Sequence, residues 1–327
     1  MKSSIKSIAV FTSGGDAPGM NAAVRAVVRT GIYSGLKVFG IMRGYEGLID
    51  DEIIDMDSRS VSNIIHRGGT ILKTARSKRF MTDEGMKLAY ENIKKHNIDA
   101  VIALGGDGTF RGAVEFNKTY DVPFIGLPCT IDNDLYGTDN TIGYDTAINT
   151  AMEAIDKIRD TADSHNRLFF IEVMGRDAGF IAMRSGIATG AEAILIPESP
   201  LSIDQLINKL ERGWQRKKSS GIVVIAEGEE EGGAFEVARK VKEKFNHYDT
   251  RVSVIGHMQR GGNPTCQDRV LASRLGMAAV EAVMEGKSNV MVGVIHHSIV
   301  YTPFSKATKH NLELSPYLMK LAVVLST

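Results

Sequence analysis

Ala100-Val101-Ile102-Ala103-Leu104-Gly105-Gly106-Asp107-Gly108-Thr109 is an apolar run that stops abruptly in glycine and carboxylate. Ala100 to Leu104 reads as a buried strand, and glycine beside aspartate is poor strand material, so Gly105 to Thr109 reads as a loop at its end. The pattern recurs one strand–helix–strand later. Phe124-Ile125-Gly126-Leu127 leads into Pro128-Cys129-Thr130-Ile131-Asp132-Asn133-Asp134. It also appears near the start, where Ile5 to Thr12 leads into Ser13-Gly14-Gly15-Asp16-Ala17-Pro18-Gly19. In parallel sheets ligands gather at the carboxyl ends of strands. Glycine loops there let backbone N–H groups approach phosphate, and a helix N-terminus favours the anion. Asp107 suits a Mg²⁺ ion, which takes one or two carboxylates plus phosphates and water. Asp132 and Asp134 lie two apart, on one side of an extended loop.

Outward from these loops the chain alternates strand and helix. Strands are predicted at 5–12 and 37–42, then near 99–104, 123–127, 168–173, 193–196, 221–226, 252–256 and 290–295. Helices are predicted at 20–33, 82–95, 141–160, 204–216, 234–245 and 267–286. Thr82 or Asp83 reads as a cap, and Ser202 to Gln205 as a capping box. The rhythm argues an α/β protein with two doubly wound, Rossmann-like sandwich domains and mainly parallel sheets. A break in the rhythm near Asn140 marks the expected boundary between them.

Composition excludes several classes. The 327 residues carry 39 basic and 39 acidic side chains. That balance offers no global field for nucleic acid or a membrane surface, so anionic ligands must meet local arginines. Two cysteines, Cys129 and Cys266, make no disulfide framework and fit a reducing cytoplasm. No run reaches the ~20 apolar residues of a membrane span. The opening residues are too quickly polar for a signal peptide.

Two common phosphate-binding motifs fail. The only Gly-Lys-Ser, at 286–288, has Glu281 where a P-loop needs glycine, and Arg111 fills the third glycine of a dinucleotide fingerprint. Gly-Gly-Asp-Gly-Thr alone suits several kinase families. Pro128 to Asp134 is narrower. With Ser13 to Ala22, Met174-Gly175-Arg176 and Gly256 to Gly262, the chain resembles the bacterial ATP-dependent 6-phosphofructokinases from about Ile5 to Ile295.

That resemblance implies a Mg²⁺-dependent homotetramer that moves the γ-phosphoryl of ATP to the 1-hydroxyl of fructose 6-phosphate. It implies a larger ATP domain, 1–140 plus about 257–304, and a smaller sugar-phosphate domain, about 141–256 plus 305–327. Gly14, Arg76, Ser77, Gly106, Asp107, Gly108 and Thr109 match its ATP elements, with Asp107 on the metal. Asp132 matches the base, Thr130 the contact to the moving phosphoryl, and Arg176 the catalytic cation. Ile131, Met174, Gly175, Glu227, Met258 and Gln259 match its substrate contacts. Arg167, Arg251, His257 and Arg260 match the binders of the 6-phosphate, and Arg167 and Arg251 are implied to come from a neighbouring subunit. Arginine suits this because its planar fork meets phosphate oxygens bidentately. Pyrophosphate-dependent relatives typically carry Asp at the position of Gly108 and Lys at that of Cys129, so ATP is the expected donor. Cys129 replaces a usual glycine, and a thiol so placed is expected to be open to modification. An effector site for ADP or phosphoenolpyruvate is implied at Arg25, Arg29, Arg59, Arg159, Gly190, Glu192, Arg216 and Lys218. Ser58 and Ser219-Ser220 replace basic residues there, so a weakened response is expected. The alternatives are a pyrophosphate-dependent enzyme and a non-catalytic sensor of sugar phosphate or nucleotide.

Overall fold

The computed structural model describes residues 5–307 and 314–326. In chain order the elements are β1 (Ser7–Thr12), α1 (Met20–Tyr33), β2 (Lys37–Ile41), α2 (Tyr45–Ile49), β3 (Ile53–Met56), α3 (Asp83–Lys95), β4 (Ala100–Gly105), α4 (Asp107–Phe116) and β5 (Phe124–Pro128). There follow α5 (Tyr144–His165), β6 (Arg167–Val173), α6 (Phe180–Ala188), β7 (Ala193–Leu195), α7 (Ile203–Gln215), β8 (Gly221–Ala226), α8 (Gly233–Lys244) and β9 (Asp249–Val254). The chain ends with α9 (Cys266–Met284), β10 (Val290–Ile295), β11 (Ser298–Pro303) and α10 (Pro316–Leu325).

Two compact units form: Met1–Ile131 with Leu135–Thr146 and Arg260–Asn311, and Asp132–Asp134 with Ala147–Gln259 and Leu312–Thr327. The expected second-domain segment 305–327 includes positions 308–313 and 327, which lie outside the described residues. The first unit holds a seven-stranded sheet in the order β11-β10-β5-β4-β1-β2-β3. Its interior pairs are parallel, and β3 and β11 join antiparallel at the two edges. The second unit has a parallel sheet in the order β7-β8-β6-β9. Two doubly wound, mainly parallel units are therefore present, as the strand–helix rhythm predicts.

Burial explains the strand choice. Every residue of β1, β4, β5 and β8 is buried, so these strands read as continuous apolar runs covered on both faces. In the first unit Tyr45 stacks on Phe80 at 3.9 Å between ring centres, and Phe116 continues the stack at 5.6 Å. In the second, Leu168, Phe170, Val223 and Ile225 pack with Leu206 and Leu210 of α7. The caps are where the sequence places them. The Thr82 hydroxyl accepts from the Gly85 N–H, and Ser202 with Gln205 forms the full capping box.

Candidate active site

In the first unit three loops lie side by side at the carboxyl ends of adjacent parallel strands. The register sets Thr12 of β1 beside Leu104 of β4, and Leu104 beside Leu127 of β5. Backbone bonds run across the ends: Ser13 N–H donates to the Leu104 carbonyl at 2.9 Å, and Cys129 N–H to the Gly105 carbonyl at 2.9 Å. Asp107 is the first residue of α4, next to Gly106 and Gly108. A methyl group placed on Gly108 would meet nothing within 4 Å, so the space above the helix start is open. One placed on Gly106 would lie 3.9 Å from the Thr130 Cβ, which brings the second and third loops together. The Arg260 guanidinium lies against the first loop. It donates to the Asp16 carbonyl at 3.2 Å and occupies the place a side chain on Gly15 would need.

Asp107 is engaged by Arg111, one turn along α4, through Nε to Oδ1 at 3.1 Å and a terminal nitrogen to Oδ2 at 2.9 Å. Arg111 is largely exposed and Asp107 mostly sheltered. An exposed ion pair of this kind is weak, so a stronger cation can displace the arginine. Among the described residues no group of three or more His, Cys, Asp or Glu side chains is placed to hold a metal ion by itself. One carboxylate beside an open phosphate-sized space fits Mg²⁺, which keeps water and phosphate oxygens as its other ligands.

Arg76 is exposed on the segment before α3, and Ser77 accepts from the Phe80 N–H at 3.0 Å. The Ser77 hydroxyl and Arg79 hold the Glu46 carboxyl below its ordinary pKa, the serine bond being the larger cause. Two supports of these loops carry no motif in the sequence. The buried Tyr45 hydroxyl donates to the Thr109 carbonyl at 2.6 Å, and Thr74 Oγ1 donates to the Gly14 carbonyl at 2.7 Å.

In the second unit the loops after β6 and β8 interlock. Gly175 has φ 149° and Arg176, a non-glycine residue, φ 55°, in the left-handed region. A Cβ on Gly175 would come within 2.4 Å of the Ala178 carbonyl. The Arg176 N–H donates to Glu227 Oε1 at 2.7 Å, which fixes that costly conformation. Arg176 and Glu227 are both exposed, while Met174 is buried. Asp132 is also mostly buried, at 7% exposure.

Gln259, expected among the substrate contacts, is fully buried, and its Oε1 accepts from the Met174 N–H at 2.8 Å. His257 and Met258, just before it, are exposed. Arg167 and Arg251 share one carboxylate, Asp249, at 3.1 and 2.6 Å.

The residues matched to an effector site fall in separate groups. Arg25 and Arg29 stand one turn apart on α1, and Arg59 on an exposed turn, all in the first unit. In the second unit Arg159 donates to the Thr189 and Gly190 carbonyls, and Lys218 pairs with Glu192 at 2.6 Å. Lys218 also lines a cavity of about 470 Å³ with Asn166, Trp214, Lys217, Ser219 and His247, where Trp214 stacks flat on His247. Arg216 is the C-cap residue of α7.

The expectation of a modifiable Cys129 is overturned. Its thiol is 1% exposed, and burial, with the Asp268 charge nearby, pushes its pKa up. A thiolate is the reactive species, so this cysteine is inert.

The profile of the phosphofructokinase family matches residues 7–283. The chain is 59% identical over 307 residues to "ATP-dependent 6-phosphofructokinase 2" of Bacteroides thetaiotaomicron, covering 94% of each chain. Among solved structures it resembles phosphofructokinase from Saccharomyces cerevisiae, with TM-score 0.88 and 37% identity over 92% of this chain and 45% of that one. It also resembles a pyrophosphate-dependent phosphofructokinase from Marinobacter aquaeolei, with TM-score 0.83 and 25% identity over 99% of this chain and 92% of that one. With its glycine loops set side by side on parallel strands, the chain belongs to the phosphofructokinase family.

Proposed function

We propose that this protein transfers the γ-phosphoryl group of ATP to the 1-hydroxyl of fructose 6-phosphate. The observation that carries the reading is the open space at Gly108, beside Asp107 at the N-terminus of α4, in the loop whose Gly106 lies against Thr130. ATP needs that space for its α-phosphate, and a side chain at 108 would fill it. Cys129 is neutral and buried, so it supplies no cation for pyrophosphate.

The first unit serves ATP through Gly14, Arg76, Ser77 and the loop Gly106 to Thr109. Asp107 would hold Mg²⁺, which when bound would supply charge neutralisation to the phosphate oxygens. The second unit serves the sugar phosphate. Glu227 accepts from its hydroxyls, and Arg167, Arg251 and His257, with Arg260 of the first unit, receive the 6-phosphate, Arg167 and Arg251 acting on a neighbouring subunit of a homotetramer. In the transfer the bond from the γ-phosphorus to the ADP oxygen breaks and a bond to sugar O1 forms. The hydroxyl proton passes to Asp132. An ordinary carboxylate is a weak base for an alcohol, but a loose transition state releases that proton late. Thr130 and the Arg176 guanidinium receive the charge on the moving phosphoryl group.

The charge lost at Ser58 and Ser219-Ser220 leaves a weak response to ADP and phosphoenolpyruvate. A reducing cytoplasm suits the free, buried Cys129. Product formation from fructose 6-phosphate and Mg²⁺, measured in parallel with ATP and with pyrophosphate, tests the reading. ATP should support turnover, and turnover with pyrophosphate alone would overturn it.

A further inference from the structure

We propose that Asp268, a residue matched to no ligand or catalytic role above, is the positioning residue of the loop that carries Thr130. The inference rests on the kinase reading and adds the device that holds its reacting loop in register.

Asp268 is 1% exposed and is the third residue of α9. Its carboxylate collects three donors from one short segment at the start of α5. Oδ1 accepts from the Gly143 N–H at 2.9 Å. Oδ2 accepts from the Thr146 N–H at 2.8 Å and from the Thr146 hydroxyl at 2.5 Å. The start of α5 answers in kind. Thr146 Oγ1 accepts from the Thr265 N–H at 3.0 Å, and the Thr265 hydroxyl donates to Asp145 at 2.6 Å. That hydroxyl also accepts from the Asp268 N–H at 3.2 Å. Two helix N-termini thus cap each other around one buried carboxylate. Helix starts offer N–H groups that have no partner within the helix and a positive dipole end, which is where a negative charge is best held. Burial raises the Asp268 pKa while the bonds from Thr146 and Gly143 oppose that rise.

The clamped segment reaches the reacting loop directly. Ile142 N–H donates to the Pro128 carbonyl at 2.8 Å, and Cys129 and Ile142 form a parallel bridge. The Thr141 hydroxyl donates to the Thr130 carbonyl at 2.6 Å. Gly143, with φ 103°, passes so close to the phosphate loop that a Cβ would meet Ala17 at 2.7 Å. Asp268 therefore fixes residues 141–146 at one end, and those residues hold the backbone of residues 128–130 at the other. Nothing in this chain of contacts requires Asp268 to touch substrate. Its loss would let Thr130 drift while leaving the groups that bind ATP and sugar phosphate in place.

The test is steady-state kinetics on the assembled enzyme for Asp268→Asn, Thr141→Val and the double variant, with thermal melts alongside. An amide at 268 turns an NH₂ toward donors that need an acceptor. In Asp268→Asn, kcat should fall roughly 10- to 100-fold, the cost of sub-ångström to ångström misplacement, with both KM values within about threefold. Thr141→Val should fall in the same sense, and the double variant should lose less than the two losses combined, because both act on one loop. A folded Asp268→Asn with kcat within about twofold of wild type, or with KM raised and kcat intact, overturns the proposal. If Asp268→Asn does not fold, Thr141→Val decides, since it deletes one hydroxyl, and an unchanged kcat overturns the role. Wild-type protein without kinase activity would instead refute the underlying reading.

Discussion

The Glu227 carboxylate accepts the Arg176 backbone N–H at 2.7 Å, so the side chain proposed to meet the sugar also fixes the backbone of the proposed catalytic cation. Its removal should therefore harm both binding and turnover. Glu227→Ala should raise KM for fructose 6-phosphate and lower kcat, each by about tenfold or more, since a hydrogen bond involving a charged group is worth about 1.5–3 kcal/mol. Steady-state kinetics would show it, and a change confined to KM would leave Arg176 independent of Glu227.

Gly108 separates function from stability. It is the second residue of α4, and a methyl group there meets open space. Gly108→Ala should stabilise the fold by about 0.4–1 kcal/mol through the unfolded chain. The same change should raise KM for ATP by intruding on the nucleotide. A thermal melt beside ATP kinetics would measure both, and unchanged ATP kinetics would place the nucleotide elsewhere.

Thiol labelling checks the burial of Cys129. In the native single chain Cys266 is exposed and Cys129 is not. A maleimide should react with at most one thiol per native chain and with two after denaturation. Cys266→Ser should abolish native labelling. Rapid labelling of that variant would contradict the inert, buried Cys129.

Acid should weaken the link between α2 and the segment carrying Arg76. Arg79 bonds to Glu46 at 2.7 Å and Asp50 at 2.8 Å, and both carboxyls sit below their ordinary pKa. The chief cause at Asp50 is the Arg79 bond, and at Glu46 the Ser77 hydroxyl, with Arg79 a smaller one. A depressed carboxylate stabilises the fold above its unfolded pKa, near 4, and loses that contribution as pH falls through the folded value. Arg79→Met should be less stable than wild type at neutral pH, and the gap should close below about pH 4. Denaturant melts across that range would test it, and a gap independent of pH would assign Arg79 a packing role alone.

The sequence made the parallel core legible because strands buried on both faces are uniform apolar runs, as in Ala100 to Gly105. Edge elements were less visible. Ile53 to Met56 is short and half exposed. The β10–β11 hairpin turns on His296 and His297, both at positive φ, where Asn-Gly would be the usual signal. Among the candidate site residues, glycine and carboxylate in loops announced Asp107 and Asp132. Tyr45, Thr74, Gln259 and Asp268 act through bonds to backbone groups 60 to 125 positions away, and no local pattern encodes that. The clearest cases are Tyr45 to Thr109 and Asp268 to Gly143, separated by 64 and 125 residues.

The central claim is that Asp132 takes the proton of the sugar hydroxyl while ATP gives up its γ-phosphoryl. Its most direct test is kcat for Asp132→Ser with ATP, Mg²⁺ and fructose 6-phosphate at saturation. The account predicts a fall of at least ~10²–10⁴-fold with little change in KM, as loss of a general base requires. A large rise in KM with kcat intact would contradict it and make Asp132 a binding residue.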